Sequence, residues 1–335
     1  MMLKKLKQSL HLLAPISLLK QSEFGKLRGK LLLTALDVGA RGGFDNLLTP
    51  IADIVDFIGF EPDKAEVKRL EDASLSKGSW ASIRYLPLAL GNKSDSRLLY
   101  LTQSPGCSSL LQSNFDMYSR YGREELFTVI GTTVVATVPL DDAAREYSFQ
   151  DASYLKIDIQ GAELEVLKTG HKLLSDSIVA IRAEVELQQI YKDQPLFPDI
   201  DFFLKENGFH LVDFHQPITW PLQTSVAALK SPFVIGRDCL GELIHTDVLY
   251  FKNLDAFSDT DENAIHVCIK AAMIALAYGR LSYAAVLLSK KLVKEYLVNV
   301  YGVDVEKAME EARFMMNKHN KRNRLLSLVR LILGR

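Results

Sequence analysis

The run Leu36-Asp37-Val38-Gly39-Ala40-Arg41-Gly42-Gly43 closes an apolar stretch that begins at Leu31. An unbroken apolar run that ends in an acid and then glycines reads as a strand buried on both faces of a parallel sheet, turning sharply at its carboxyl end. Two more stretches end alike: Phe57-Ile58-Gly59-Phe60-Glu61-Pro62-Asp63 and Tyr154-Leu155-Lys156-Ile157-Asp158-Ile159-Gln160-Gly161. In an open parallel α/β sheet, ligands bind in the crevice beyond the carboxyl ends of the strands. Three such ends describe a nucleotide-type site.

From these anchors the alternation extends both ways. Strands are predicted over 31–38, 54–60, 83–90, 154–159, 178–185, 209–214 and 245–251, with helices over 64–73, 163–174 and 200–206. Pro50 limits any helix after Gly43 to a short or offset one. Residues 97–140 break the pattern. There, 98–102 and 132–138 suit antiparallel strands, and Ser104-Pro105-Gly106-Cys107-Ser108-Ser109-Leu110 lies between them with Phe115, Tyr118 and Tyr121. Such an excursion is expected to be an insertion or lid. The predicted fold is a doubly wound α/β domain over 31–253, with a mostly parallel, seven-stranded sheet. A wholly helical region follows over 254–335, with helices at 264–278, 281–298 and 305–318 and breaks at Gly279 and Gly302.

Composition narrows the function classes. The chain has 335 residues, 48% hydrophobic and 24% charged, as in ordinary globular proteins. A formal net charge of -1 gives no basic face for a nucleic-acid partner, and no Asn/Asp-Pro-Pro-aromatic run marks a base-modifying enzyme. Cys107, Cys239 and Cys268 are too scattered for a disulfide framework or zinc site. His171, His210, His215 and His245 have no metal-ligand spacing, so no metal is expected. Of these, His215 follows a strand end and is the candidate to face an acceptor pocket.

The N-terminus places Lys4, Lys5 and Lys7 before an apolar run at 10–19. His11, Pro15 and Ser17 interrupt that run and no small-x-small cleavage site follows, so 1–30 reads as a basic amphipathic segment of a cytoplasmic protein. The tail after Arg313 carries Lys318, Lys321, Arg322, Arg324, Arg330 and Arg335 without an acid. Peripheral membrane contact through the two basic ends is one expectation, and packing of the tail on its own domain is the other.

The chemistry sits at the strand ends. A dinucleotide fingerprint needs a second glycine two residues after the first, so that the backbone can approach a pyrophosphate. Here Arg41 fills that place. No phosphate-cradling G-x-x-x-x-G-K-[ST] loop is present either. Glu61, about 20 residues beyond the turn, is placed to accept hydrogen bonds from ribose hydroxyls. Asp37 lies where a cationic amino group would sit, and Asp158 ends the strand across the switch point. An adenosine ribose, an ammonium group and no phosphate describe S-adenosylmethionine.

The same stretches closely resemble FkbM-type methyltransferases. Further matching runs are Leu86-Pro87-Leu88-Ala89-Leu90-Gly91, Gly106-Cys107-Ser108-Ser109-Leu110, Val138-Pro139-Leu140-Asp141-Asp142 and Gln189-Ile190-Tyr191-Lys192-Asp193-Gln194-Pro195-Leu196-Phe197. The resemblance spans 31–253 and implies a class I methyltransferase (Rossmann-like) fold, S-adenosylmethionine as donor, and O-methylation of a sugar, glycan or related metabolite. It implies that Asp37, Gly39 and Gly43 lie by the methionine part, with Ala40 and Arg41 also cofactor-binding, that Glu61 lies on the ribose, and that the turn at Ala89, Leu90 and Gly91 lies near the adenine. Asp158 and Glu184 are the implied catalytic candidates, with Asp158 also at the cofactor. Acceptor choice is expected to reside in 97–140, 188–197 and 216–242. The rival reading is a non-catalytic adaptor that keeps the fold and recruits a partner through the C-terminal helices.

Overall fold

The computed structural model describes residues 18–43, 46–74, 80–223, 241–257 and 264–332. The basic run expected before residue 18, Cys239 and most of the predicted connection over 216–242 lie outside these residues, as do the side chains of the basic tail after residue 318.

Seven strands form one sheet in the order β3-β2-β1-β7-β8-β10-β9. They are β1 (Leu33–Val38), β2 (Val55–Phe60), β3 (Ser82–Leu86), β7 (Tyr154–Ile157), β8 (Ala180–Glu186), β9 (Phe209–Trp220) and β10 (Glu242–Lys252). β10 runs antiparallel to both neighbours, while the β1, β2, β3, β7 and β8 pairings are parallel. The order reverses between β1 and β7, which opens the crevice where the sequence placed its acids. A second, three-stranded sheet has the order β4-β6-β5, from β4 (Ala89–Leu90), β5 (Asp95–Thr102) and β6 (Val129–Val138).

Several predicted elements are shorter or broken. The strand expected over 83–90 divides at Pro87, because proline cannot donate to the ladder; its second half joins the other sheet. The helix expected over 163–174 becomes Glu163–Leu167 and His171–Asp176, separated at Gly170, where a Cβ would meet Leu140 at 2.7 Å. The helix expected over 281–298 breaks at Lys290, whose extended backbone ends Leu281–Ser289 before Lys291–Tyr296 begins. After Gly43 the chain forms a 3-10 helix, Asn46–Ile54, around Pro50. β9 continues to Trp220, six residues beyond its predicted end at 214.

The two faces of the central strands differ. Leu36, Val38, Leu155, Ile157, Ile181, Ala183, Val185, Val248 and Tyr250 form one continuous core on the first face. The opposite face is divided along its length. Its lower half, with Leu33, Ala35, Tyr154, Ala180, Leu249 and Phe251, packs in a single cluster with Ala264–Ala277, Leu281–Ser289 and the start of Val305–Ile332. The helical region is therefore a layer of this fold. Its upper half is polar. Asp37, Lys156 and Arg182 stand in register across β1, β7 and β8, with Glu184, Glu186, Asp247 and His245 continuing the face on β8 and β10. The Tyr154 and Tyr278 hydroxyls, 2.6 Å apart, mark the boundary.

Candidate active site

The turn after β1 is set by close approach. Gly39 takes φ +89°, and a Cβ there would lie 1.8 Å from the Asp158 carbonyl oxygen, so only glycine brings β1 and β7 together here. The Gly39 N–H donates to the Phe60 carbonyl at 3.1 Å, and the Asp158 N–H to that of Val38 at 2.9 Å. Ala40 is buried and Gly43 takes φ +86°. The loop thus presents backbone at the sheet's carboxyl edge.

Glu61 stands just beyond β2 and is buried. One carboxylate oxygen accepts the Asp63 N–H at 3.0 Å, and the other lies 3.5 Å from Arg41 Nε. Arg41 also donates to Asp63 at 3.0 Å, so its guanidinium bridges both acids at the rim. Burial pushes the Glu61 carboxyl above its usual range, against the Asp63 N–H and Arg41, which favour its charge. The Glu61 N–H donates to the Leu86 carbonyl at 3.1 Å, three residues before Ala89.

At the other side of the switch point the structure adds a residue that the strand-end reading passed over. The Lys156 ammonium lies 3.1 Å from Asp37 and 3.5 Å from Asp158. Burial alone would lower the Lys156 pKa, but these two carboxylates hold it above its ordinary value. Asp37, expected to face a ligand's amino group, is instead engaged by this internal cation. Lys156 holds Asp158 below the usual aspartate range despite burial.

Asp158 and Glu184 are joined through Gln160, whose Nε2 donates to Asp158 Oδ1 at 2.9 Å and to Glu184 Oε2 at 2.6 Å. Gln160 has φ +60°, an uncommon conformation for a side-chain-bearing residue. The neighbouring turn is held by Glu163, which accepts the Ile159 and Gly161 N–H groups. The Tyr191 hydroxyl lies 2.8 Å from the Cys107 carbonyl and 2.9 Å from Gln160 Oε1, sharing its proton between them. His245, discounted in the sequence, stands with Nδ1 2.9 Å from Glu184 Oε1. His215, the histidine the sequence favours, stands in register with Asp247 on the next strand, beside Tyr278 and Asp213.

The segment between β5 and β6 packs against this end of the sheet. Met117, Tyr118, Tyr121 and Phe127 cluster with Ile190, Tyr191, Trp220 and Ile244. Among the described residues no group of histidine, cysteine and acidic side chains is arranged to hold a metal ion.

Residues 37–211, just over half of the chain, match the methyltransferase FkbM domain. The chain belongs to the FkbM methyltransferase family. Members of this family use S-adenosylmethionine, and the sheet order with one antiparallel strand is that of the class I methyltransferase fold. The match ends at residue 211, short of the resemblance read to residue 253. Among solved structures, the chain is similar to methyltransferase FkbM from Methylobacillus flagellatus KT, at 14% identity and a TM-score of 0.38, covering 66% of this chain and 43% of that one. This chain thus spans less than half of that relative's length. It is also similar to magnesium protoporphyrin IX methyltransferase from Synechocystis PCC 6803 with bound S-adenosylmethionine (10% identity, TM-score 0.33, covering 67% and 71%). A third is precorrin-6y C5,15-methyltransferase from Geobacter metallireducens GS-15 (11% identity, TM-score 0.31, covering 69% and 85%). No curated protein matches the chain.

Among the described residues no helix is long and apolar enough to cross a membrane.

Proposed function

We propose that this FkbM-family chain O-methylates a hydroxyl of a sugar, glycan or related small metabolite, with S-adenosylmethionine as donor. The observation that carries this reading is the polar upper half of one sheet face, which brings Asp158, Gln160 and Glu184 together beside the Gly39 turn. When bound, the donor supplies an electrophilic methyl group on a sulfonium. Glu61 holds the ribose diol, with Arg41 yielding one carboxylate oxygen to it. Ala89 and Leu90 form an apolar wall for the adenine, and the backbone of residues 39–43 lines the methionine portion. Asp158, kept ionised by Lys156, sets a negative potential beside the sulfonium. Methyl transfer is an in-line displacement, so holding the acceptor oxygen on the methyl–sulfur axis supplies much of the rate.

A cavity of about 390 Å³ lies on the segment between β5 and β6, apart from Asp158, Gln160 and Glu184, and its chemistry suits a hydrated ligand. Its lining includes Gln112, Asn114, Asp116 and Lys192 beside an exposed Phe115 ring. Amides, charges and one open aromatic face are the groups that bind a polyol. Calorimetric titration with S-adenosylmethionine, with Glu61→Ala in parallel, tests the donor half of the proposal. Loss of charge-assisted hydrogen bonds worth about 1.5–3 kcal/mol predicts affinity weakened roughly tenfold to a hundredfold or more. No binding by the wild type would overturn the proposal. A screen of glycosides with labelled methyl donor then tests the acceptor class. The basic ends of the sequence support a membrane-proximal acceptor, tested by flotation with anionic liposomes before and after their removal.

A further inference from the structure

β10 runs antiparallel to β8, so its first residues lie at the carboxyl end of the parallel strands, where the reaction centre is placed. His245 sits there, opposite Glu186 and diagonal to Glu184 across the ladder. Its Nδ1 is 2.9 Å from Glu184 Oε1, while Glu184 Oε2 accepts from Gln160 at 2.6 Å. The carboxyl group is thus fixed at both oxygens and the imidazole is fixed by one nitrogen. Trp220 packs edge-on against the ring, with centroids 6.1 Å apart and planes at 70°. Among the described residues Nε2 has no hydrogen-bond partner, and 23% of the side chain stays accessible. A histidine anchored at Nδ1 with Nε2 left open has the arrangement of a general base.

Asp158 is less suited to that task, since Lys156 and Gln160 occupy its oxygens. The ionisable groups around His245 are Glu184 and Glu186 on β8, Asp158 after β7, and Asp247 on its own strand, itself paired with Arg182. Burial lowers the imidazole pKa against Asp158 and Asp247, and burial, then Asp158 and Glu186, raises that of Glu184.

We infer that His245 is the general base of the transfer and Glu184 its positioning residue, an inference that rests on the O-methyltransferase reading above. The acceptor oxygen forms its bond to the methyl carbon as the methyl–sulfur bond breaks, leaving its electron pair on a neutral thioether. The hydroxyl proton passes to Nε2 of His245. Nδ1–H stays on the Glu184 carboxylate, which compensates the imidazolium until the proton leaves to water.

The test needs no acceptor. Imidazole nitrogen NMR on the ¹⁵N-labelled full chain gives the His245 pKa with S-adenosylmethionine bound and again with S-adenosylhomocysteine bound. His245→Asn assigns the signal. A base next to the reacting methyl senses the sulfonium charge, so its pKa is expected to be about one unit or more lower in the S-adenosylmethionine complex. The isosteric Glu184→Gln should lower it in both complexes by removing the carboxylate. Equal values in two formed complexes would overturn the assignment, because a histidine that only supports the fold does not feel a change at the sulfur. Failure of either ligand to bind would instead remove the methyltransferase reading itself.

Discussion

Gly39 is the residue on which the site turns. Gly39→Ala places a Cβ 1.8 Å from the Asp158 carbonyl at a φ of +89°. The left-handed conformation alone costs a side-chain-bearing residue about 1–2 kcal/mol, and the clash adds to it. Thermal melting and donor titration should show both a lower Tm and lost binding; a variant that binds as the wild type does would refute the close approach. Lys156 gives a second prediction. Removing one partner of a buried ion pair costs about 3–5 kcal/mol, so Lys156→Ala should strongly destabilise the protein at neutral pH. Lys156 also holds Asp158 below its usual range, a contribution present above the unfolded aspartate pKa and lost as pH falls through the folded one, so the gap in Tm to wild type should narrow in acid. Glu186 supplies the opposite sign. Burial first, then Glu163 and Asp158, push its carboxyl well above the ordinary value of 4.5. A carboxyl raised on folding stabilises the fold below its unfolded pKa, and that contribution is lost as pH rises through its folded pKa. Glu186→Gln should therefore match wild type near about pH 5 and melt higher near about pH 9; parallel melting curves would sink the assignment. At this scale the sequence is legible where one residue announces its own backbone, as at Gly39. Lys156 lay inside a quoted motif, and a lone cation on a strand buried from both faces was the signal that could have exposed it. His245 had no local signal, because its partner is 61 residues away.

Elements were legible in proportion to their uniformity. β1, β2 and the helix Lys64–Ser74 end within about two residues of their predicted bounds, because each carries one clean period and a marked terminus. The third strand was misread because a run of apolar residues conceals Pro87, where the chain leaves one sheet for the other. Helices over 163–174 and 281–298 were joined in the reading since their apolar spacing continues through the breaks. The segment between β5 and β6 is tied to the reaction centre through Tyr191, whose hydroxyl touches both the Cys107 carbonyl and Gln160. Tyr191→Phe removes that link while keeping the ring. Its expected effect is faster hydrogen exchange over residues 104–113, with the exchange of β1 and β7 unchanged; uniform protection across both variants would show that the link does not hold the segment.

Across the whole molecule, the helical region that the sequence places after the domain covers the lower half of the sheet. A chain ending at residue 257 would expose Leu33, Tyr154, Leu249 and Phe251 together. It is expected to lose cooperative unfolding in calorimetry and to self-associate, whereas an independent domain would melt as before. The divided face carries one further consequence, for folding. Because the two faces of these strands differ at their carboxyl ends, a slip of one residue is excluded, since it would turn Lys156 into the core. A slip of two is a different matter, because every side chain keeps its face. Such a shift of β7 against β1 would set Lys156 beside Ala35, in the apolar lower half, or beside Gly39, and in either case part it from Asp37. The charged row spanning β1, β7 and β8 therefore works as a key cut for a single alignment, excluding the even-numbered misfolds that hydrophobicity alone permits.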